Sequence, residues 1–224
     1  FTAPGGVAEG DTLDQAIGMI ASARRPIILA GGGAVDAKAQ IVRLADRLEA
    51  PLATTLKAKG LFNDHPYNMD IFGTLSTPAA YDLIAQSDCI LCFGAGLHNF
   101  TTDQGKLMTG KRIIQVDVAP DAIGNSVHPD AALIADAGLT ADTILWWLNE
   151  AEIAPSGFTR ELDGVALTEH PVGSTRTAEG CINFVQALER LETVFPENRI
   201  LVTDGGRFMT EVWCRISVPD PRSN

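Results

Sequence analysis

The apolar positions of this chain alternate between two periods. Leu13, Ala16, Ile17 and Ile20 recur at helical spacing, which predicts a first helix with Asp11 or Thr12 as its N-cap. Pro26-Ile27-Ile28-Leu29-Ala30 is an unbroken apolar run, as expected of a strand buried on both faces. Gly31-Gly32-Gly33 ends it, and Ile41, Leu44, Ala45 and Leu48 outline a second helix over roughly 37–49. A second strand is expected at 51–55. A long loop rich in Gly, Asn, His and Pro then runs to Gly73. Residues 78–85 read as a short helix, 88–93 as the third strand, 112–117 as the fourth and 132–135 as a short fifth. A helix over 139–149 turns Ile144, Leu145, Trp147 and Leu148 inward.

Strands separated by helices pair in parallel through right-handed crossovers. The expected fold is α/β: an open, mostly parallel Rossmann-like sheet with helices on both faces. Ligands of such sheets bind beyond the carboxyl ends of the strands. The candidate surface is therefore 31–33, 54–57, 94–99, 117–120 and 136–137.

Residues 152–179 hold Pro, Ser, Thr, Gly and charge with no sustained period, and read as a linker over the surface. Phe184, Ala187, Leu188 and Leu191 then mark a helix. Ile200-Leu201-Val202-Thr203 marks a strand, Asp204-Gly205-Gly206 a turn, and 208–216 another helix. The expected division is a first domain over 1–150, a linker over 151–179 and the opening of a second domain over 180–224. So few elements cannot bury a core alone. Together with the missing initiator Met, this gives the expectation that the chain is cut from something longer.

Composition narrows the function classes. The 224 residues are 46% hydrophobic and 20% charged, which is globular rather than disordered. The net charge of −11, with no basic stripe, argues against a nucleic-acid partner. The apolar runs are too short to span a bilayer, and the first residues do not form a signal peptide, so no membrane partner is expected. Cys89 and Cys92 form a CxxC, but inside a strand-like run rather than at a helix start where a thiolate is activated. No second pair completes a zinc site, so no metal ligands are assigned. Core packing, reduced thiols and a cytoplasmic location are the expectation.

Gly31-Gly32-Gly33-Ala34-Val35-Asp36 matches only part of the dinucleotide fingerprint. Asp36 stands where its third Gly belongs, and 54–57 lacks the ribose-binding acid. A standard NAD dehydrogenase is disfavoured. A diphosphate-type anion could still meet the Gly32 and Gly33 amides, the alternative being a tight turn that needs glycine. Gly94-Ala95-Gly96 permits a similar backbone approach. Asp117 and Asp136 end neighbouring strands, where each could accept ribose hydroxyls or cap the next helix. Of the four His, only His98 lies on the ligand edge, and it reads as a satisfied loop histidine. No Ser/His/Asp order, P-loop or HExxH is present.

Five stretches in order carry a family resemblance. They are the GGG loop after the first strand, Ala53-Thr54-Thr55-Leu56-Lys57-Ala58-Lys59-Gly60, Asn63-Asp64-His65-Pro66 leading to Gly73, 87–96, and Ile114-Gln115-Val116-Asp117-Val118-Ala119-Pro120. Over about 10–150 the chain resembles the central domain of thiamine-diphosphate-dependent enzymes of the acetolactate synthase, benzoylformate decarboxylase and oxalyl-CoA decarboxylase group. The stretch 198–206 resembles the opening strand and turn of that family's diphosphate-binding domain.

The resemblance implies a parent lyase or carboligase acting on a 2-oxo acid, with thiamine diphosphate and Mg²⁺, assembled as a homodimer or tetramer. It implies no catalytic residue in this chain, since the activating Glu and the GDG…N motif belong to stretches not seen here. It also implies that the central domain binds FAD, ADP or nothing. Possible nucleotide contacts are Gly32, Gly33, Thr55, Gly94, Ala95, Gly96, Asp117, Val118 and Asp136. Asp204, Gly205 and Gly206 would lie near the thiamine diphosphate, with Arg207 a possible phosphate or substrate contact. Gly96 stands where flavin-binding members carry an Arg. The alternative is a non-catalytic FAD- or ADP-binding or oligomerisation module of the same fold.

Overall fold

The computed structural model describes residues 6–171, 178–206 and 208–223. Six strands are formed: β1 (Pro26–Ala30), β2 (Leu52–Thr54), β3 (Asn68–Ile71), β4 (Cys89–Phe93), β5 (Arg112–Asp117) and β6 (Ala131–Ile134). They make one sheet in the order β3-β2-β1-β4-β5-β6, with every neighbouring pair parallel. The expected α/β sheet is thus present. Its strand order reverses between β1 and β4, the switch point at which such sheets hold ligands.

Side chains alternate across the strands. Ile28, Ala30, Cys89, Leu91 and Phe93 join one core with α1 (Asp11–Ala21), α2 (Lys38–Leu48) and α4 (Ala137–Glu150). Ile27, Leu29, Ile90 and Cys92 face the other way, against α3 (Pro78–Gln86). Cys89 and Cys92 therefore point to opposite faces and do not act as a pair. α2 and α4 are fastened by Arg47, which donates to the Leu148 and Ile153 carbonyls at 3.0 and 2.6 Å and so satisfies the end of α4.

Three local expectations are corrected. First, β3 lies inside the stretch read as a long loop. Asn68 and Asp70 do alternate with Met69 and Ile71, but turn-forming residues on both sides mask that short period. The strand is irregular: its register shifts against β2, and Asp70 has φ of 55°. Second, α1 is capped by Gly10 at φ 82° with no side-chain bond, not by Asp11 or Thr12. Asp11 and Asp14 instead sit in the first turn, where the helix dipole favours acids. Third, Ile200–Thr203 is not a strand, because no neighbouring strand among the described residues pairs with it. Ile200 and Val202 are 77% and 87% exposed, and the Leu201 amide makes one backbone bond, to Ser223.

Residues 151–171 do run over the surface, and they also complete a core. Phe158, Leu162 and Leu167 are buried in the α3-side cluster, and the Thr77 hydroxyl donates to the Leu167 carbonyl at 2.7 Å. The carboxyl-terminal region holds α5 (Phe184–Val194) and α6 (Met209–Arg215), and of α5 only Leu188 is buried. That region docks on the loop after β2: the buried Lys59 ammonium donates to the Trp213 carbonyl, and Asn63 donates to Val218 O at 2.8 Å. Among the described residues no helix is long and apolar enough to cross a membrane.

Candidate functional site

The loops after β1 and β4 meet at the switch point with backbone against backbone. Gly31 donates to Phe93 O at 2.8 Å, Gly33 to Gly94 O at 3.2 Å and Gly94 to Val116 O at 2.8 Å. A Cβ on Gly31 would lie 2.1 Å from Gly94 O, and one on Gly94, at φ 54°, would lie 2.5 Å from the Gly33 carbonyl carbon. No side chain larger than hydrogen fits at either position. The Gly33 amide is engaged by Gly94, so of the two amides expected to meet an anion only that of Gly32 lacks a bonded partner among the described residues.

Beyond this contact a cavity of about 510 Å³ opens at the carboxyl edge of the sheet. It gathers Gly32, Gly33, Thr55, Gly94, Gly96 and Asp117 from four separate stretches of sequence, and adds Lys57, His98 and Phe100. Asp117 Oδ1 accepts from the Ala119 amide at 3.0 Å, which fixes the carboxylate. His98 departs from the satisfied loop histidine expected of it. It is exposed, and its ring has no hydrogen bond among the described residues. The ring lies over Gly96, where a Cβ would stand 2.7 Å from Nε2. The spacing Gly96-Leu97-His98 holds the only signal for this, since Leu97 at φ 38° folds the loop back on itself.

The other expected contacts lie elsewhere. Ala95 is buried and its carbonyl accepts from Gln115 Nε2, while Val118 does not line the cavity. Asp136 is the N-cap of α4: its Oδ1 accepts from the Leu139 amide at 2.9 Å, the capping alternative of the two weighed for it. Asp204, Gly205 and Gly206 are exposed in the carboxyl-terminal region, and Asp204 Oδ1 accepts from the Gly205 amide at 2.6 Å. Arg207 lies outside the described residues.

Two other cavities have less to offer a ligand. A groove of about 570 Å³ beside α2 carries Asp36, Lys38, Arg43 and Asp64. All four are already paired, Lys38 with Asp64, Arg43 with Asp142 and Asp36 with Arg222. A polar cavity of about 260 Å³ lies under α6 around Lys59 and Asp70, whose Nζ and Oδ2 are 3.4 Å apart. Sequence reasoning did not single out Lys59, because nothing distinguishes a buried lysine from its exposed neighbour Lys57 in the linear pattern.

The two buried thiols of β4 are inert. Burial pushes the Cys89 thiol up to about 12 despite the nearby Arg112 charge, and raises that of Cys92 as well.

Comparison with known proteins agrees with this architecture. The family model described as thiamine pyrophosphate enzyme, central domain, matches residues 13–144. A probable acetolactate synthase large subunit of Methanococcus aeolicus is 34% identical over 137 residues, 59% of this chain and 23% of the relative. A sulfoacetaldehyde acetyltransferase of Rhodobacter capsulatus is 38% identical over 144 residues, 61% of this chain and 24% of the relative. An acetolactate synthase of Mycobacterium leprae is 27% identical over 217 residues, 92% of this chain and 34% of the relative. The matches thus span 23% to 34% of the length of these relatives. It belongs to the thiamine pyrophosphate enzymes, and its sheet, from α1 through most of α4, is their central domain.

Proposed function

We propose that this chain is the central domain, with the opening of the diphosphate-binding domain, of a thiamine-diphosphate-dependent lyase or carboligase that acts on a small 2-oxo acid. The family match over 13–144 carries this reading. The family match ends at residue 144, in keeping with a first domain that closes near 150, and the likeness to the Mycobacterium leprae acetolactate synthase covers 92% of this chain and so extends beyond that domain. Under this reading the exposed apolar face of Ile200 and Val202 belongs to the opening of that second domain. The alternative of a non-catalytic module is not favoured, since relatives that match 59% and 61% of this chain are named as enzymes.

The residues in hand do not build the thiamine diphosphate site. Among the described residues no three His, Cys, Asp or Glu side chains converge on a point that a metal ion could occupy. The carbanion chemistry resides in the cofactor. This chain contributes a scaffold and, near the cofactor, Asp204-Gly205-Gly206. Mg²⁺, a homo-oligomeric parent and a cytoplasmic location belong to the same proposal, supported by the family and by the four free cysteines. The cavity at the switch point is a nucleotide site in this reading. ADP suits it better than FAD, because Gly96 stands where flavin-binding members carry an Arg.

The test is turnover by the polypeptide that carries this chain, supplied with thiamine diphosphate and Mg²⁺ and offered pyruvate and a panel of other 2-oxo acids. Cofactor-dependent CO₂ release or a carboligation product is expected. No cofactor-dependent turnover of any member of the panel would overturn the reading.

A further inference from the structure

We infer that His170 is a proton-operated release for the carboxyl-terminal region: with its ring neutral, α6 stays docked beside β3, and a proton on the ring loosens that docking while the sheet stays folded. The device is independent of the reaction proposed above.

Polar contacts hold α6 at a seam. Lys59 is 3% exposed, and its ammonium lies 3.4 Å from Asp70 Oδ2 and donates to the Trp213 carbonyl. Arg215 binds Glu211 through Nε at 2.9 Å and Glu189 through Nη1 at 3.0 Å, and its Nη2 donates to the Pro171 carbonyl at 3.0 Å. The Cys214 thiol donates to the Leu75 carbonyl at 3.6 Å. Asp70 is thus committed to Lys59, and Glu189 and Glu211 are committed to Arg215. The clamp on Pro171 fastens the residue next to His170, so whatever displaces Arg215 also frees the chain at that point.

His170 lies in this seam. It is half-buried in a cavity of about 440 Å³ walled on one side by Glu211, Cys214 and Arg215 of α6, and its ring has no hydrogen bond among the described residues. The other wall brings Thr74, Leu75, Ser76 and Pro78, none of them charged. The charged groups facing the ring are Arg215 and Glu211 of α6, Asp70 of β3 and Lys59 from the loop after β2. The Cys214 thiol adds no charge, since burial pushes it up to about 11. A proton on His170 therefore brings a third positive charge among Lys59 and Arg215, with both facing acids already committed. Loss of water around the ring, and then the Arg215 charge, hold His170 below the usual histidine range. When α6 lifts away, the ring regains water and its ordinary proton affinity, near 6.5. The released form then binds more protons than the docked one, so docking is full above about pH 6.5 and weakens as pH falls below it.

The cysteines supply the test. Cys214 reports on the seam, exposed Cys181 is the reference within the same molecule, and buried Cys89 and Cys92 report on the sheet. The whole chain is labelled with a dithiodipyridine at pH 7.5 and 5.5, and each thiol is followed by peptide mass spectrometry. The ratio of Cys214 to Cys181 labelling cancels the reagent's own pH dependence. It is expected to rise at least about threefold on acidification, with Cys89 and Cys92 protected at both pH values. His170→Gln cannot take up the proton and should flatten the rise. His170→Arg carries a permanent charge and should give the high ratio at both pH values. A ratio that does not change with pH in the natural chain overturns the inference. So does a rise that persists in His170→Gln, a low ratio at both pH values in His170→Arg, or labelling of Cys89 and Cys92 that rises together with Cys214.

Discussion

Ile27-Ile28-Leu29 and Ile200-Leu201-Val202 are nearly the same tripeptide in two regions of one chain. The first lies at the centre of the sheet with β2 on one side and β4 on the other, and none of its side chains reaches solvent. Among the described residues the second makes a single backbone bond, to Ser223, and leaves Ile200 and Val202 largely exposed. An apolar run states that a segment can be a buried strand. Only neighbouring strands that satisfy its amides and carbonyls make it one. The same contrast holds for the helices. α4 buries Ile144 and Leu148 against the core, whereas α5, with an equally clear apolar face, buries only Leu188.

The largest effect expected from breaking this contrast is at Phe158, which sits in the stretch with no sequence period. Phe158→Ala should cost about 3–5 kcal/mol in urea denaturation, because the ring is 1% exposed inside the α3-side cluster. Phe208→Ala, in the carboxyl-terminal region, should cost about 1 kcal/mol or less, since that ring is 47% exposed and its edge contact is with Phe184 alone among the rings. Equal losses would mean that the two regions fold on one shared core. Glycines sharpen the point at a slightly smaller scale. Gly31→Ala forces a Cβ to within 2.1 Å of Gly94 O and should cost about 3 kcal/mol, the upper end for overpacking. Gly205→Ala meets nothing within 4 Å and should change stability by less than about 0.5 kcal/mol. A stable Gly31→Ala would show that the β1 and β4 loops part easily.

The limits of the sequence reading follow from the same contrast. β1, β2, β4 and β5 were legible because a strand buried on both faces needs apolar residues in succession, or close to it, and β6 because its four residues are all apolar although only Ala131 and Leu133 are buried. β3 was not, because half of it is Asn and Asp and its neighbours are turn formers. The glycine loops were legible as loops. That they press on each other was not, because the contact depends on β1 and β4 being adjacent in the sheet while 63 residues apart in register partners such as Ile27 and Ile90. Asp117 and Asp136 look alike in sequence, each ending a strand. The helix that begins at Ala137 turns the Leu139 amide onto Asp136, while Asp117 is followed by a short 3₁₀ turn and stays at the cavity. His98 could not be recognised as unsatisfied, since that depends on Leu97 folding the ring over Gly96.

The thiols divide between the two regions and give the mildest test. Cys89 and Cys92 lie buried in β4, and Cys181 is exposed near the start of the carboxyl-terminal region. Near pH 8 an aromatic disulfide reagent should label Cys181 in the native chain and reach Cys89 and Cys92 only on unfolding. Labelling of all three at one rate would mean that β4 opens as readily as the carboxyl-terminal region moves. The pH dependence has a definite sign. An unfolded thiol titrates near 8.5–9, whereas burial holds Cys89 at about 12. Below pH 8 both states are protonated and stability does not change on this account. Between pH 9 and 12 the unfolded state loses a proton that the folded state keeps, so stability falls by about 1.4 kcal/mol per pH unit for that thiol. Cys89→Val removes the group, so its stability should fall less steeply than that of the natural chain over the same interval. Parallel curves would place the Cys89 thiol in contact with water, contrary to a strand closed on both faces.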